Sequence, residues 1–193
     1  MVSKFREAVG GALVLDFVNT RDAWLNEARK REYVEDYGDL VAWAVEAGAI
    51  TAAGAVDRAA AAAVHARALA LRDALFALFS ALAHDEPAPA GAVAAVNAEW
   101  ARLEARPQLE PGSLRAVWTA APDAPLGPVL ASAERLLRDG PLDRLRQCAG
   151  PDGWCGALFI DRTRNRSRRW CSMAICGNPA KMRARAARGR AGR

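Results

Sequence analysis

Residues 148–178 read CAGPDGWCGALFIDRTRNRSRRWCSMAICGN. The stretch holds all four cysteines of the 193-residue chain, Cys148, Cys155, Cys171 and Cys176, as two close pairs flanking a longer segment. That spacing presents four thiolates to one tetrahedral zinc ion. A fully thiolate set leaves no open position for water, so a single Zn2+ here is structural rather than catalytic. Free or disulfide-bonded cysteines are the alternative. They fit less well, because a segment of this size with few apolar side chains cannot bury enough surface to fold without a staple.

Within the segment, Ala157 to Asp161 reads as a strand, residues 162–165 as a turn and residues 166–171 as a returning strand, with Leu158, Ile160 and Trp170 as a small core. Arg162, Arg164, Arg166 and Arg168 recur at every second residue, which on extended backbone places them on one side. Arg169 adds to them. Asn178 suits a helix N-cap and Pro179 the first helical position. The helix that follows carries Lys181, Arg183, Arg185 and Arg188, and Lys181, Arg185 and Arg188 form a basic stripe. Residues 189–193 read as a disordered tail.

Charge divides the chain in the same place. Residues 148–193 hold 11 Lys+Arg against 2 Asp+Glu, a net +9, while residues 1–147 stand at −4. A finger carrying a −2 zinc–thiolate centre is still strongly cationic. Nucleic acid is the expected partner, ahead of an acidic protein surface or a merely solvated face. The finger lacks the aromatic platform that stacks single-stranded bases, which favours double-stranded DNA over RNA.

The hydrophobic content of 52% is ample for a packed core in the remainder. Residues 11–20, GALVLDFVNT, form an apolar stretch that periodicity alone leaves open between strand and helix. Residues 38–49 read as a helix capped by Asp39 and ended by Gly48. Residues 55–84 read as the longest helix, with an apolar face of Leu71, Leu75, Leu78 and Leu82, and residues 90–105 as another carrying Val93, Val96, Trp100 and Leu103. Residues 107–119 suggest a hairpin about Pro111-Gly112, and Leu114 to Trp118 alternate as its second strand. Residues 126–148 read as helical with a break at Gly140-Pro141, feeding the first zinc ligand. The fold class is therefore α+β: a mostly helical N-terminal domain with a small sheet over residues 1–146, then a small four-cysteine zinc finger, β-hairpin plus helix, over 147–193.

Asp16, Asn19 and Thr20 close the apolar segment at 11–20, and Arg72 interrupts the apolar face of the longest helix. Two readings stand side by side. In one, Asn19 or Thr20 caps a following helix and Asp16 pairs with Arg72. In the other, Asp16, Asn19, Thr20 and Arg72 surround a small-ligand pocket. His65 and His84 have no partner at metal-ligand spacing. No Ser/His/Asp set, phosphate loop or acid pair is present, so no catalytic residue is assigned. No apolar run approaches the length of a membrane span, no leader is evident, and clustered cysteines read as metal ligands, so the expected compartment is the cytoplasm.

The run LFIDRTRNRSRRWCSMAICGN, residues 158–178, resembles the CGNR zinc fingers. LVLDFVNT at 13–20, DLVAW at 39–43 and LRDAL at 71–75 resemble the ABATE domain that commonly precedes that finger. The resemblance covers nearly the whole chain. It implies a stress-responsive transcription regulator, with DNA bound by the finger and a sensing role for the first domain. One position departs: the family's arginine after Gly-Asn is Pro179 here, while its lysine is retained as Lys181. The expected partners are double-stranded DNA, a small-molecule effector and a second copy of the chain, with no membrane. An RNA-binding protein, or an enzyme in the first domain with the finger as a docking module, are the alternatives.

Overall fold

The computed structural model describes residues 4–112 and 116–191. Six helices carry the architecture: α1 (Leu13–Val18), α2 (Tyr37–Glu46), α3 (Arg58–Ala83), α4 (Ala90–Arg102), α5 (Leu126–Asp139) and α6 (Asn178–Ala191). Six short strands pair into three antiparallel ribbons: β1 (Arg21–Asp22) with β2 (Arg31–Glu32), β3 (Pro107–Leu109) with β4 (Ala116–Trp118), and β5 (Leu145–Gln147) with β6 (Leu158–Ile160). The α+β class read from the sequence is the observed one. No helix among the described residues is long and apolar enough to cross a membrane.

The segment at 11–20 resolves as helix. Val14, Leu15, Phe17 and Val18 are all buried, a largely apolar turn that only the surrounding core makes favourable. α3 is the central element, begun by Asp57, which accepts from the Ala60 amide at 2.8 Å. Its Leu71, Leu75, Leu78 and Phe79 fill the core, while Ala68 and Ala74 on the buried side keep the helix surface low. α2 begins at Tyr37, one residue ahead of the predicted start, and is capped about one turn earlier than predicted. Its cap is Asp36, whose carboxylate accepts from the Asp39 amide at 2.9 Å, so Asp39 lies inside the helix rather than at its cap. Gly48 follows its end at φ +66°, a left-handed conformation that glycine adopts without strain. Of the residues predicted to pack from α4, Val96 and the C-cap Leu103 are buried, but Val93 and Trp100 are exposed, and Ala92 and Glu99 turn inward instead. The reason is electrostatic. Glu99 meets Arg67 of α3 at 2.5 Å, and Arg67 reaches on to buried Asp123 at 3.1 Å. Asp123 also takes the Glu104 and Ala105 amides at 2.8 and 2.9 Å, tying the end of α4 to the turn before α5. The hairpin at 107–118 is present, with Pro107 opposite Trp118; Leu114 and Arg115 of its predicted second strand lie outside the described residues.

Two expectations about the C-terminal part are overturned. Residues 126–148 are not helical throughout: α5 stops at Asp139, and after a short 3-10 turn the chain becomes β5, which leads into Cys148. The finger thus hangs from a strand, not from a helix end. Secondly, β6 does not pair with residues 166–171. It pairs with β5, with Leu145 opposite Ile160 and Gln147 opposite Leu158. The faces of β6 are consequently split. Leu158 and Ile160 enter the main helical core, and Phe159 alone points into the cluster formed by the four cysteines and Val9.

Candidate metal centre and nucleic-acid interface

The loop of the β5–β6 hairpin brings the first cysteine pair together. Cys148 donates its amide to Ala157 at 2.9 Å, and Gly156 returns one to Cys148 at 2.7 Å. Gly156 is needed twice over: its φ is +74°, and a Cβ there would lie 2.6 Å from that of Trp24. The second pair comes from a widened turn. Residues Met173–Gly177 form a π-helical turn capped by Ser172, whose hydroxyl accepts from the Ile175 amide, and this turn runs straight into α6. Asn178 is therefore already helical, at φ −65° and ψ −46°, and Ser172 rather than Asn178 is the cap. Pro179 has no N–H for the Ile175 carbonyl one α-turn back, which a wider turn accommodates. α6 extends to Ala191, so residues 189–191 continue a helix where a disordered tail is expected.

The four Sγ atoms lie within 4.8 Å of one another and all four cysteines are buried. Cys171 Sγ is 3.7 Å from the sulfurs of Cys155 and Cys176. A tetrahedron with Zn–S bonds of ~2.3 Å has edges of ~3.8 Å, so the sulfurs stand at zinc-ligand separation and far from disulfide contact. Without a cation four such thiols cannot ionise together. Hydrogen bonds from Cys148 and its neighbours hold Cys155 far down, and the same crowding pushes Cys171 and Cys176 up. A divalent ion removes that conflict by taking all four as thiolates.

Arg6 completes the surroundings, and nothing in the sequence pattern singles it out. Its Nη2 donates to Cys171 Sγ at 2.9 Å and approaches Cys155 Sγ at 3.8 Å. Its Nη1 is ion-paired to Asp22, which in turn accepts from the Tyr33 hydroxyl at 2.7 Å. Burial opposes the charge of Arg6, but Cys171, Asp22 and Cys155 outweigh it and raise its pKa.

The nine predicted nucleic-acid contacts separate into three groups. Arg162 and Arg168 are structural: Arg162 donates to Gly11 O at 2.6 Å, and Arg168 donates to the carbonyls of Trp170 and Val9 while its guanidinium lies 4.4 Å from the Phe159 ring centre. Arg166 and Arg183 are exposed but paired, with Asp143 at 2.7 Å and with Asp152 respectively. Arg164, Arg169, Lys181, Arg185 and Arg188 are exposed without an acidic partner among the described residues. The alternation of arginines on one side of a strand is not observed, because residues 162–169 are a loop. Buried Asp161 folds that loop, accepting from Thr163 N and Oγ1 and from the Arg168 amide at 2.6–2.9 Å. These hydrogen bonds prevail over burial and hold its carboxyl below the usual range.

A groove of about 770 Å³ runs between this loop and α6. Thr163, Ser167, Ser172, Arg169 and Lys181 line it with hydroxyls and cations, and Trp170 and Met173 form an apolar strip. Trp170 is only partly buried against the cysteine cluster, so it serves both core and groove.

The N-terminal residues do not converge. Asp16, Asn19 and Thr20 border a cavity of about 420 Å³ with Phe5, Arg6 and Trp43, but Arg72 is not part of it. Arg72 is held bidentately by Glu32, at 2.6 Å for each bond, and donates to Thr20 Oγ1 at 3.1 Å. Asn19 is a structural amide. Its Nδ2 donates to Leu158 O at 2.9 Å and its Oδ1 accepts from Leu158 N at 3.0 Å. Among the described residues Asp16 pairs with no arginine. It accepts from the Gly10 amide at 2.7 Å, and burial raises its pKa.

Residues 11–140 match the ABATE family, described as "Putative stress-induced transcription regulator". Residues 144–189 match the CGNR zinc finger. No curated protein is similar enough to the chain to count as a match. Four buried cysteines at tetrahedral spacing within that finger are the site of one structural zinc ion.

Proposed function

The chain belongs to the ABATE family and carries a CGNR zinc finger, and from that premise we propose that it is a cytoplasmic DNA-binding transcription regulator. In this reading residues 147–193 bind double-stranded DNA and residues 1–146 sense a small effector, in a homodimer. The observation that carries it is the groove between the 163–173 loop and α6. Its hydroxyls and unpaired cations suit phosphate oxygens, and the exposed stripe of Lys181, Arg185 and Arg188 extends the cationic surface along α6. The 420 Å³ cavity beside Asp16 is the effector site in this reading, with Trp43 as its aromatic wall.

Trp170 supports a second reading. A partly exposed indole in a basic groove, with the Arg169 guanidinium 5.5 Å from its ring centre, can stack an unpaired base. Fluorescence anisotropy of labelled duplex DNA, competed by unlabelled duplex DNA, duplex RNA and single-stranded DNA, separates the two. Duplex DNA as the best competitor supports the regulator. Single strands competing better, with the advantage lost in Trp170→Ala, supports the second reading.

A further inference from the structure

A Zn2+ ion with four thiolates carries −2 charge. In this chain it would sit among cysteines that are 0–1% exposed, where an uncompensated anion is costly. The arginines crowding the sequence around Cys171 do not supply the compensation. Arg168 gives its hydrogen bonds to carbonyls, Arg169 lies over Trp170, and Arg162 is spent on Gly11. Among the described residues, the guanidinium that reaches the ligand sulfurs comes from the other end of the chain.

Arg6 is placed for this by three features. Its side chain is 3% exposed, so its charge acts without much screening by water. Asp22 fixes Nη1, and Tyr33 fixes Asp22, so the fork is oriented with Nη2 on Cys171. The segment that carries it is stitched to the finger: Ile160 N donates to Gly10 O at 2.9 Å, Arg162 and Arg168 donate to Gly11 O and Val9 O, and Val9 packs in the cysteine cluster. A bound zinc would make the Cys171 and Cys155 sulfurs full thiolates and strengthen both contacts.

We propose that Arg6 is the outer-sphere partner of the zinc centre, offsetting part of its charge through Cys171 and Cys155, so that the finger keeps its metal only with the N-terminal segment in place. The centre is then a joint product of residues 149 and 165 positions apart in sequence.

The test is zinc transfer from the full-length, zinc-loaded protein to a chromogenic chelator, with alkylation of the cysteines as a parallel readout. Arg6→Met keeps the bulk and removes the charge; it should release zinc roughly 10–100-fold faster, the usual range for a lost outer-shell partner, and expose the thiols to alkylation. Arg6→Lys should recover part of the loss. Asp22→Asn loosens the orientation of Arg6 but keeps its charge beside the sulfurs, so it should accelerate release less than either Arg6 variant does. Wild-type release from Arg6→Met overturns the proposal. So does acceleration by Asp22→Asn matching that of Arg6→Met, since Arg6 would then serve only the fold around Asp22. If Arg6→Met loses its helical circular dichroism, Arg6→Lys and Asp22→Asn decide: faster release from Asp22→Asn than from Arg6→Lys overturns the proposal, and the reverse order supports it.

Discussion

The side-chain amide of Asn19 and the backbone of Leu158 exchange two hydrogen bonds, at 2.9 and 3.0 Å, so that a residue just after α1 pairs with β6 as a neighbouring strand would. Both partners are buried. β6 is the strand whose two faces look into the helical core and into the cysteine cluster, so this one amide fastens the first helix to the root of the finger.

Asn19→Ala leaves the N–H and C=O of Leu158 buried and unpaired. At ~1–3 kcal/mol for each of the two orphaned groups, the loss should be about 2–6 kcal/mol. Urea denaturation followed by circular dichroism measures it. Asn19→Asp keeps an acceptor and loses the donor, so it should also destabilise. A change below about 0.5 kcal/mol for both would mean that the pair carries no stability.

Purified protein should hold one zinc per chain, and Cys171→Ser should abolish it. Chelation should lower the melting temperature of the main helical transition as well, because Leu158 and Ile160 sit in the same core as α3 and α5. A coupled loss of about 2 kcal/mol corresponds to roughly 4–8 °C in a chain of this size. Calorimetry showing an unmoved main transition would make the finger an independent unit.

Five unpaired cations, Arg164, Arg169, Lys181, Arg185 and Arg188, give an expected slope of log K against log salt of about −4 to −5 on duplex DNA. Arg169→Ala should flatten the slope by about 1. Arg168→Ala should leave it unchanged and lower stability instead, since that guanidinium holds backbone carbonyls. Asp143→Asn frees Arg166 and should steepen the slope by about 1. Anisotropy titrations between dilute and physiological salt read all four.

The Glu32–Arg72 pair sets a pH dependence. Burial opposes the charge of Glu32, but the Arg72 guanidinium prevails and holds its carboxyl below the ordinary value of 4.5. A depressed folded-state pKa means that stability is fully present above about 4.5 and is lost as pH falls through the lower folded value. Glu32→Gln should therefore be less stable than wild type at pH 7 and show a shallower decline between about pH 5 and 3. Parallel stability curves for the two proteins across that window would remove Glu32 from the acid limb.

The linear text was sufficient for the metal. Cysteine spacing and chemistry specify a tetrahedral thiolate site whatever the backbone does between ligands, and the four residues named from spacing are the four that meet. Strongly periodic helices such as α3 were equally legible, because a long apolar face at helical spacing has few other uses. The short elements were not. Leu158-Phe159-Ile160 reads as a strand from its composition, yet its partner is β5, ahead of Cys148 in sequence, and that choice reverses which side chains face the cysteines. The arginine loop shows the same limit: density in sequence reveals the charge, but Asp161, Asp143 and Gly11 decide which guanidinium groups remain free. Arg6 is the clearest case. A lone arginine near the start of the chain carries no local signal, and only the fold, by laying residues 9–11 along β6 and the arginine loop, puts its charge against the sulfur of Cys171. Local periodicity and ligand chemistry are written in neighbouring residues; charge compensation and strand partnership depend on residues far apart in sequence, and the tertiary structure alone brings those together.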